Sequence, residues 1–297
     1  MRSDTTLPMM KVLHSILRRG SRLLRLHPTS HPFISGDTFR NVAHHIHDMD
    51  SNINPRLIRE GDIVFVQSPR MMDFFTNINP QIKNGYVLIT HNGDENITEQ
   101  YLPLITDTVK HWFAQNCLIT HPKITPLPIG LENKWYYLHG IPRYYKSLRA
   151  KPTQKVFKIL YKFSVTTNPT VRGAALKVLK EHSLAETYDD WRESFSYLRT
   201  LQNFSFIASP EGNGHDCIRT WESMYLGTAP ILKRSVMSEY FYSLGLPIIL
   251  IEDWEDLTTW DPERLKSLYD TITPKLASRA LWADYWIELI NSKRHDK

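Results

Sequence analysis

The chain has 297 residues, 41% of them hydrophobic and 23% charged, which argues against disorder and fits two domains of roughly 150 residues each better than one small core. Its net charge of +5 suits an acidic ligand or a membrane surface and falls far short of a nucleic-acid signature, so no nucleic-acid partner is expected. Two cysteines far apart, Cys117 and Cys217, build neither a disulfide framework nor a cysteine zinc site and point to a reducing compartment.

At the N-terminus, residues 9–27 (MMKVLHSILRRGSRLLRLH) set Leu13, Ile16, Leu17, Leu23 and Leu24 among Lys11, Arg18, Arg19, Arg22 and Arg25. This reads as a basic amphipathic helix that can rest on a membrane, or as a helix packing its leucines on the domain body. Gly20 and Ser21 interrupt either pattern. No apolar run approaches the roughly 20 residues that span a bilayer, and the arginines break any signal-peptide core. A cytoplasmic protein is expected, at most peripheral to a membrane. Next comes HHIHDMD (44–50), whose Asp48 and Asp50 form a D-x-D beside three histidines. A metal site needs converging ligands. Lying before the first clear strand, this segment reads instead as a solvated helix face, and no metal site is assigned.

From residue 61 apolar strands alternate with helices. Strands are expected at 62–67 (DIVFVQ), 85–92 (GYVLITHN) and around 111–116. Helices fall at 69–78, opened by Pro69, and near 97–106, and 124–132 reads as a turn-rich extended segment. Prolines and basic residues at 134–155 mark a linker, dividing the chain into 1–150 and 151–297. Beyond it strands are expected at 156–165, 204–209, 229–234 and 246–253. Helices are expected at 168–182, 189–201 and 215–227, with a long amphipathic one at 275–293. Strands apolar throughout and spaced by helices imply parallel sheets covered on both faces. The fold class is therefore α/β, with two Rossmann-like domains facing a cleft at the carboxyl ends of their strands.

Three segments at such strand ends carry candidate chemistry. After strand 204–209, the run Glu211, Gly212, Asn213, Gly214 and His215 opens a helix that bears Arg219 and Glu222 three residues apart. Free N–H groups at a helix start can hold a phosphate. A guanidinium there can grip a diphosphate, and a carboxylate on the same face can accept from a ribose diol. The alternative is an internal Arg–Glu pair that ties the helix down. FSVTTNPTVR (163–172) offers Ser164, Asn168 and Arg172 for phosphate or sugar contacts, or simply an N-cap with Pro169 at the first turn. THNGDEN (90–96) puts His91, Asp94 and Glu95 at the end of a buried strand, as reactive groups or as turn residues. Glu132 and Asn133 form a further loop candidate.

The run R-x-x-E-S-M-Y-L-G-T-A-P-I-L from Arg219, with Glu222, Gly227 and Pro230 in place, resembles the donor-binding signature of the exostosin-like glycosyltransferases. Similar elements recur in fucosyltransferases and other GT-B enzymes, and the resemblance covers roughly residues 156–253. It implies a GT-B-like glycosyltransferase whose C-terminal domain holds a nucleotide-diphosphate sugar. The N-terminal domain would present a glycan or lipid-linked glycan acceptor, in surface polysaccharide or glycoconjugate biosynthesis, with no cofactor beyond the donor. In such an enzyme the last helix can cross back to the first domain. Asp94 and His91 are then the candidate bases for the acceptor hydroxyl. Arg219, Glu222, Ser164, Asn168, Arg172, Glu211, Gly212, Asn213, Gly214 and His215 are the candidate donor contacts. Glu211 and Glu222 stand farther apart than the glutamate pair of retaining GT-B enzymes, so that assignment is not transferred. The rival readings are a metal-dependent GT-A transferase using Asp48 and Asp50, and a non-catalytic nucleotide- or sugar-binding module.

Overall fold

In the computed structural model the described residues are 13, 15–17, 19–21, 23, 24, 26–136, 139–188 and 194–295. The opening residues of the basic segment 9–27, its Arg18, Arg22 and Arg25, and the start of the expected helix 189–201 lie outside them.

Two five-stranded parallel sheets organise the chain. The first runs β1 (His45–His47), β2 (Asp62–Gln67), β3 (Tyr86–His91), β4 (Val109–Ala114) and β5 (Ile124–Pro126), in sequence order across the sheet. The period of two then sorts its side chains. Val64, Val66, Tyr86 and Leu88 enter one core with Met71, Phe74 and Tyr101 from the crossovers. Ile63, Phe65, Val87 and Ile89 enter another. Because right-handed crossovers that always step the same way lie on one face, the second face must be covered from elsewhere. Phe33, Ile34 and Phe39 join that second core, which also contains Trp221, Leu281 and Trp286 from the other half of the chain. Phe39 belongs to α1 (Gly36–Arg40), a fully buried turn capped by Ser35, which accepts from the Thr38 N–H.

The second sheet contains β6 (Val156–Tyr161), β7 (Ala185–Glu186), β8 (Phe204–Ala208), β9 (Ala229–Lys233) and β10 (Ile249–Ile251), in the order β10-β9-β8-β6-β7. Around it lie α3 (Pro169–Glu181), α4 (Ser194–Asn203), α5 (Ile218–Tyr225), α6 (Val236–Ser243) and α7 (Pro262–Ile272), with α2 (Pro142–Arg149) between the two sheets in sequence. The expected two Rossmann-like units are present. The chain ends in α8 (Ala283–Ser292), after which Arg294 returns to the first unit: its Nε donates to Gly61 O at 2.7 Å, and its own carbonyl accepts from Lys110 Nζ at 3.1 Å.

Three expectations are corrected. HHIHDMD is not a solvated helix face: His45–His47 is strand β1, and His45 and His47 bond Asp62 and Asp73 through their Nε2 atoms. The segment 134–155 is not a plain linker, since α2 buries Tyr145 and Leu148 within the shared core. Nor is 275–293 one helix. It breaks into short 3-10 turns at Thr273–Ala277 and Arg279–Leu281 before α8 begins.

Candidate functional site

In the second sheet the chain leaves β6 for β7 on one side and returns to β8 on the other, which creates a topological switch point where open α/β sheets bind ligands. A cavity of about 350 Å³ lies there, lined among others by Lys162, Arg172, Gly212, Cys217, Arg219 and Glu222. Helix α5 starts at its wall, and Cys217 at the N-cap makes no side-chain cap bond; the Thr220 N–H bonds Cys217 O at 3.0 Å, which leaves the N–H groups of Ile218 and Arg219 to a ligand.

Arg219 donates from Nε to Lys162 O at 3.1 Å and lies with its guanidinium carbon 5.6 Å from the Phe163 ring centre. Its Nη1 is buried without a partner. Arg172 lines the same cavity, and its pKa is pulled down by burial and by the Arg219 charge nearby. Two guanidiniums that converge in a partly dry site repel each other, and an anion between them relieves that repulsion. Glu222 is 4% exposed, accepts from the Tyr145 hydroxyl at 2.9 Å, and has its pKa pushed up by burial. The structure therefore does not contain the internal Arg219–Glu222 ion pair: Nε of Arg219 is spent on a backbone carbonyl and Oε1 of Glu222 on a tyrosine.

Other residues expected to touch a donor stand behind the cavity wall. Asn168 caps α3 through the Val171 N–H and donates to Gly212 O at 3.1 Å. Arg172 donates from Nε to Glu211 O at 2.8 Å and from Nη1 to Ser164 O at 2.9 Å, tying the glycine loop to the end of β6. Glu211 pairs with His215 at 3.1 Å, and the Ser164 hydroxyl bonds Thr166. Ser164, Asn168, Glu211 and His215 thus shape the loop, whereas Gly212, Asn213 and Gly214 line the cavity directly.

A second cavity, about 710 Å³, opens beside the first at the carboxyl ends of β1 to β4. Asp37, Asp48, Asp50, Asp94 and Glu132 line it, with Trp135 stacked on Tyr136 at 3.9 Å on its wall. Only Asp94, Ile129 and Ile218 line both cavities, so Asp94 is the one ionisable side chain at their junction among the described residues. Asp94 is exposed and accepts from Asn213 Nδ2 at 3.2 Å, a bond that spans the two units.

His91 lines the larger cavity but is 1% exposed, and both of its ring nitrogens are engaged. Nε2 lies 3.0 Å from Pro128 O, so it carries the proton, and Nδ1 accepts from the Asn92 N–H at 2.7 Å. That leaves no lone pair for an acceptor hydroxyl. The base assignment to His91 is corrected: it holds Asn92 in its left-handed turn, φ 61°.

Several site residues escaped the sequence reading. His27 bridges Asp37 and Asp50, each at 3.2 Å, and the Asp37 bond raises its pKa. Asp216 accepts from Ile129 N at 2.8 Å and from Trp221 Nε1, while its own N–H donates to Asn116 Oδ1 at 2.9 Å, clamping one unit to the other. Burial pushes the Asp216 carboxyl up to about 7. Only Lys162, directly after the apolar run of β6, had a local signal, since the residue after a strand borders the ligand crevice.

No protein-family model and no curated protein sequence matches the chain. Among solved structures it is similar to an alpha,alpha-trehalose 6-phosphate synthase from Burkholderia multivorans, at 10% identity and a TM-score of 0.40, covering 80% of this chain and 72% of that one. It is also similar to the pneumococcal O-GlcNAc transferase GtfA in complex with UDP and GlcNAc, at 10% identity and a TM-score of 0.41, covering 80% of this chain and 58% of that one. A third is the spinosyn rhamnosyltransferase SpnG complexed with spinosyn aglycone, at 10% identity and a TM-score of 0.36, covering 98% and 79%. Likeness at these values does not carry a substrate from one chain to another.

Proposed function

We propose that this chain is a glycosyltransferase that moves a sugar from a nucleotide-diphosphate donor to a glycan acceptor. One observation carries the reading: a cavity at a switch point that holds Lys162, Arg172 and Arg219 opens onto a carboxylate-lined one, and among the described residues Asp94 is the ionisable group common to both. The diphosphate takes the idle Nη1 of Arg219 and the N–H groups of Ile218 and Arg219 at the start of α5, and Glu222 faces the nucleoside. The sugar lies at the junction, where Asp94 removes the proton of the attacking hydroxyl. The assignment to the exostosin-like group rests on Glu222, Gly227 and Pro230 in the α5–β9 run. No divalent metal takes part, because the cations and N–H groups already face the leaving diphosphate; turnover should therefore persist in EDTA.

Calorimetric titration with UDP, GDP, CMP and dTDP, alone and as sugar conjugates, tests the reading. One of them should bind, and Arg219→Ala should weaken it by on the order of 2–5 kcal/mol. Lysine at 219 should rescue little, since an ammonium lacks the bidentate fork. A wild-type protein that binds none of them overturns the proposal.

We further propose peripheral membrane contact through residues 9–27, on the cytoplasmic side. The described residues between 13 and 23 are helical, and Leu23 is 84% and Ile16 60% exposed. No helix among the described residues is long and apolar enough to cross a membrane. Co-sedimentation with anionic vesicles, lost when Ile16 and Leu23 are changed to serine, checks this contact.

A further inference from the structure

The larger cavity is predominantly acidic, with His27 as its basic lining residue between Asp37 and Asp50. It is lined by five carboxylate residues, and no lysine or arginine lines it among the described residues. Two of the five are spent on the fold. Asp48 takes Arg40 Nε at 2.7 Å and the N–H groups of Asp50 and Ser51, and Asp50 takes His27. Asp37 is different. It is wholly buried and lines the cavity; Oδ1 takes His27 Nδ1, while Oδ2 has no hydrogen-bond donor at all. A buried carboxylate oxygen left unpaired is destabilising, so its presence calls for a donor from the ligand. Glu132 lies on the same wall, accepting only the His139 N–H among its described bonds. The stacked Trp135–Tyr136 pair offers a flat π-face beside these carboxylates.

A divalent cation is a poor occupant. Among the described residues no three His, Cys, Asp or Glu side chains come together as a ligand set, and Asp48 is held by Arg40 and Asp50 by His27. An anionic sugar would meet unscreened like charge. A protonated amine meets every requirement: its N–H groups satisfy Asp37 Oδ2 and Glu132, and its charge and pyranose face favour the aromatic platform.

We propose that this cavity takes an amine-bearing glycan, with a free ammonium directed to Asp37 and Glu132 and a sugar ring on Trp135. This deepens the donor–acceptor reading and rests on it for the word acceptor, but binding at the cavity is separately measurable. The probe is a matched pair of oligosaccharides of the same backbone, the tetramer of β-1,4-linked glucosamine and its fully N-acetylated form, titrated calorimetrically into the wild-type protein with oligogalacturonate as the anionic control. The glucosamine tetramer should bind at least about ten-fold more tightly than the acetylated one, a difference of about 1.4 kcal/mol, and the galacturonate should not bind.

Asp37→Asn, and Glu132→Gln should the first fail to fold, should reduce that preference to about three-fold or less. Equal binding of the two tetramers, binding of the acetylated one only, or binding of neither overturns the proposal. Nucleotide titration of the same samples keeps the two readings apart. Arg219→Ala should lose the nucleotide and keep the glucosamine preference, and a protein that binds nucleotide but shows no preference sinks the amine assignment alone.

Discussion

Arg219 is held by one nitrogen and idle at another, and such a half-satisfied guanidinium is how a protein keeps a charge ready for a ligand. Asp94 is the opposite kind of residue: exposed, tied lightly to Asn213, and placed where the two cavities meet. Asp94→Asn retains an oxygen that can accept from Asn213 and removes the base. Turnover should fall about 10²–10⁴-fold while donor affinity stays within about two-fold of wild type, read from single-turnover rates beside calorimetry. Near-normal turnover would reduce Asp94 to a loop tie. The sequence made Asp94 visible because it follows an apolar strand. It hid Asp37 and His27, whose pairing depends on a buried turn that no local periodicity announces.

At the scale of elements, α1 shows how closely the wall of the larger cavity is packed. A Cβ on Gly36 would fall 1.7 Å from Asn92 Oδ1 and 2.6 Å from His91 Nδ1. Gly36→Ala should therefore push α1 off the end of β3 and lower the melting temperature by several degrees, because the crowded atoms belong to side chains that are themselves anchored. Gly173 in α3 is the control: a Cβ there meets nothing within 4 Å, so Gly173→Ala should stabilise by about 0.5–1 kcal/mol in urea unfolding. Elements were legible in the sequence where burial was simple. β2, β3 and β8 are mostly apolar and stood out. β1 did not, because His45 and His47 make an edge strand polar and hide their neutralising partners, Asp62 and Asp73, in other elements. In α2 the leading Pro142 and the three-residue spacing of Tyr145 and Leu148 were the available signals, masked by surrounding Lys and Arg.

For the whole molecule, Asp216 is the titrating group at the joint of the two units. Its folded pKa near 7 stands above the ordinary 3.8, so between about pH 4 and 7 the folded chain keeps a proton that the unfolded chain releases. Stability from this group is then fully present below the lower value and falls as pH rises through the window. Buried histidines such as His91 and His47, held neutral, pull the other way near pH 6, so the useful readout is a difference. The melting-temperature gap between Asp216→Asn and wild type should move in favour of the variant as pH rises from 5 to 8. A gap that does not change with pH would show that Asp216 is ionised in the folded state throughout. Lys155, buried and lowered to about 7, contributes only above that range and in the opposite sense, since its stability is gained as pH rises from 7 toward 10.5.

The one-sided crossovers of the first sheet limit how this protein can be taken apart. Ile63, Phe65, Val87 and Ile89 of that sheet share one core with Trp221, Leu281 and Trp286, residues that the ribosome delivers only after the first sheet has been made. During synthesis the early strands therefore wait with that core only partly filled, by Phe33, Ile34 and Phe39, and full resistance to protease should come only when α8 arrives. A nascent chain stopped before residue 280 is the species that chaperones should hold. Recombining the first unit with a foreign second unit would likewise fail unless the foreign unit supplies its own wedge of aromatics for that core.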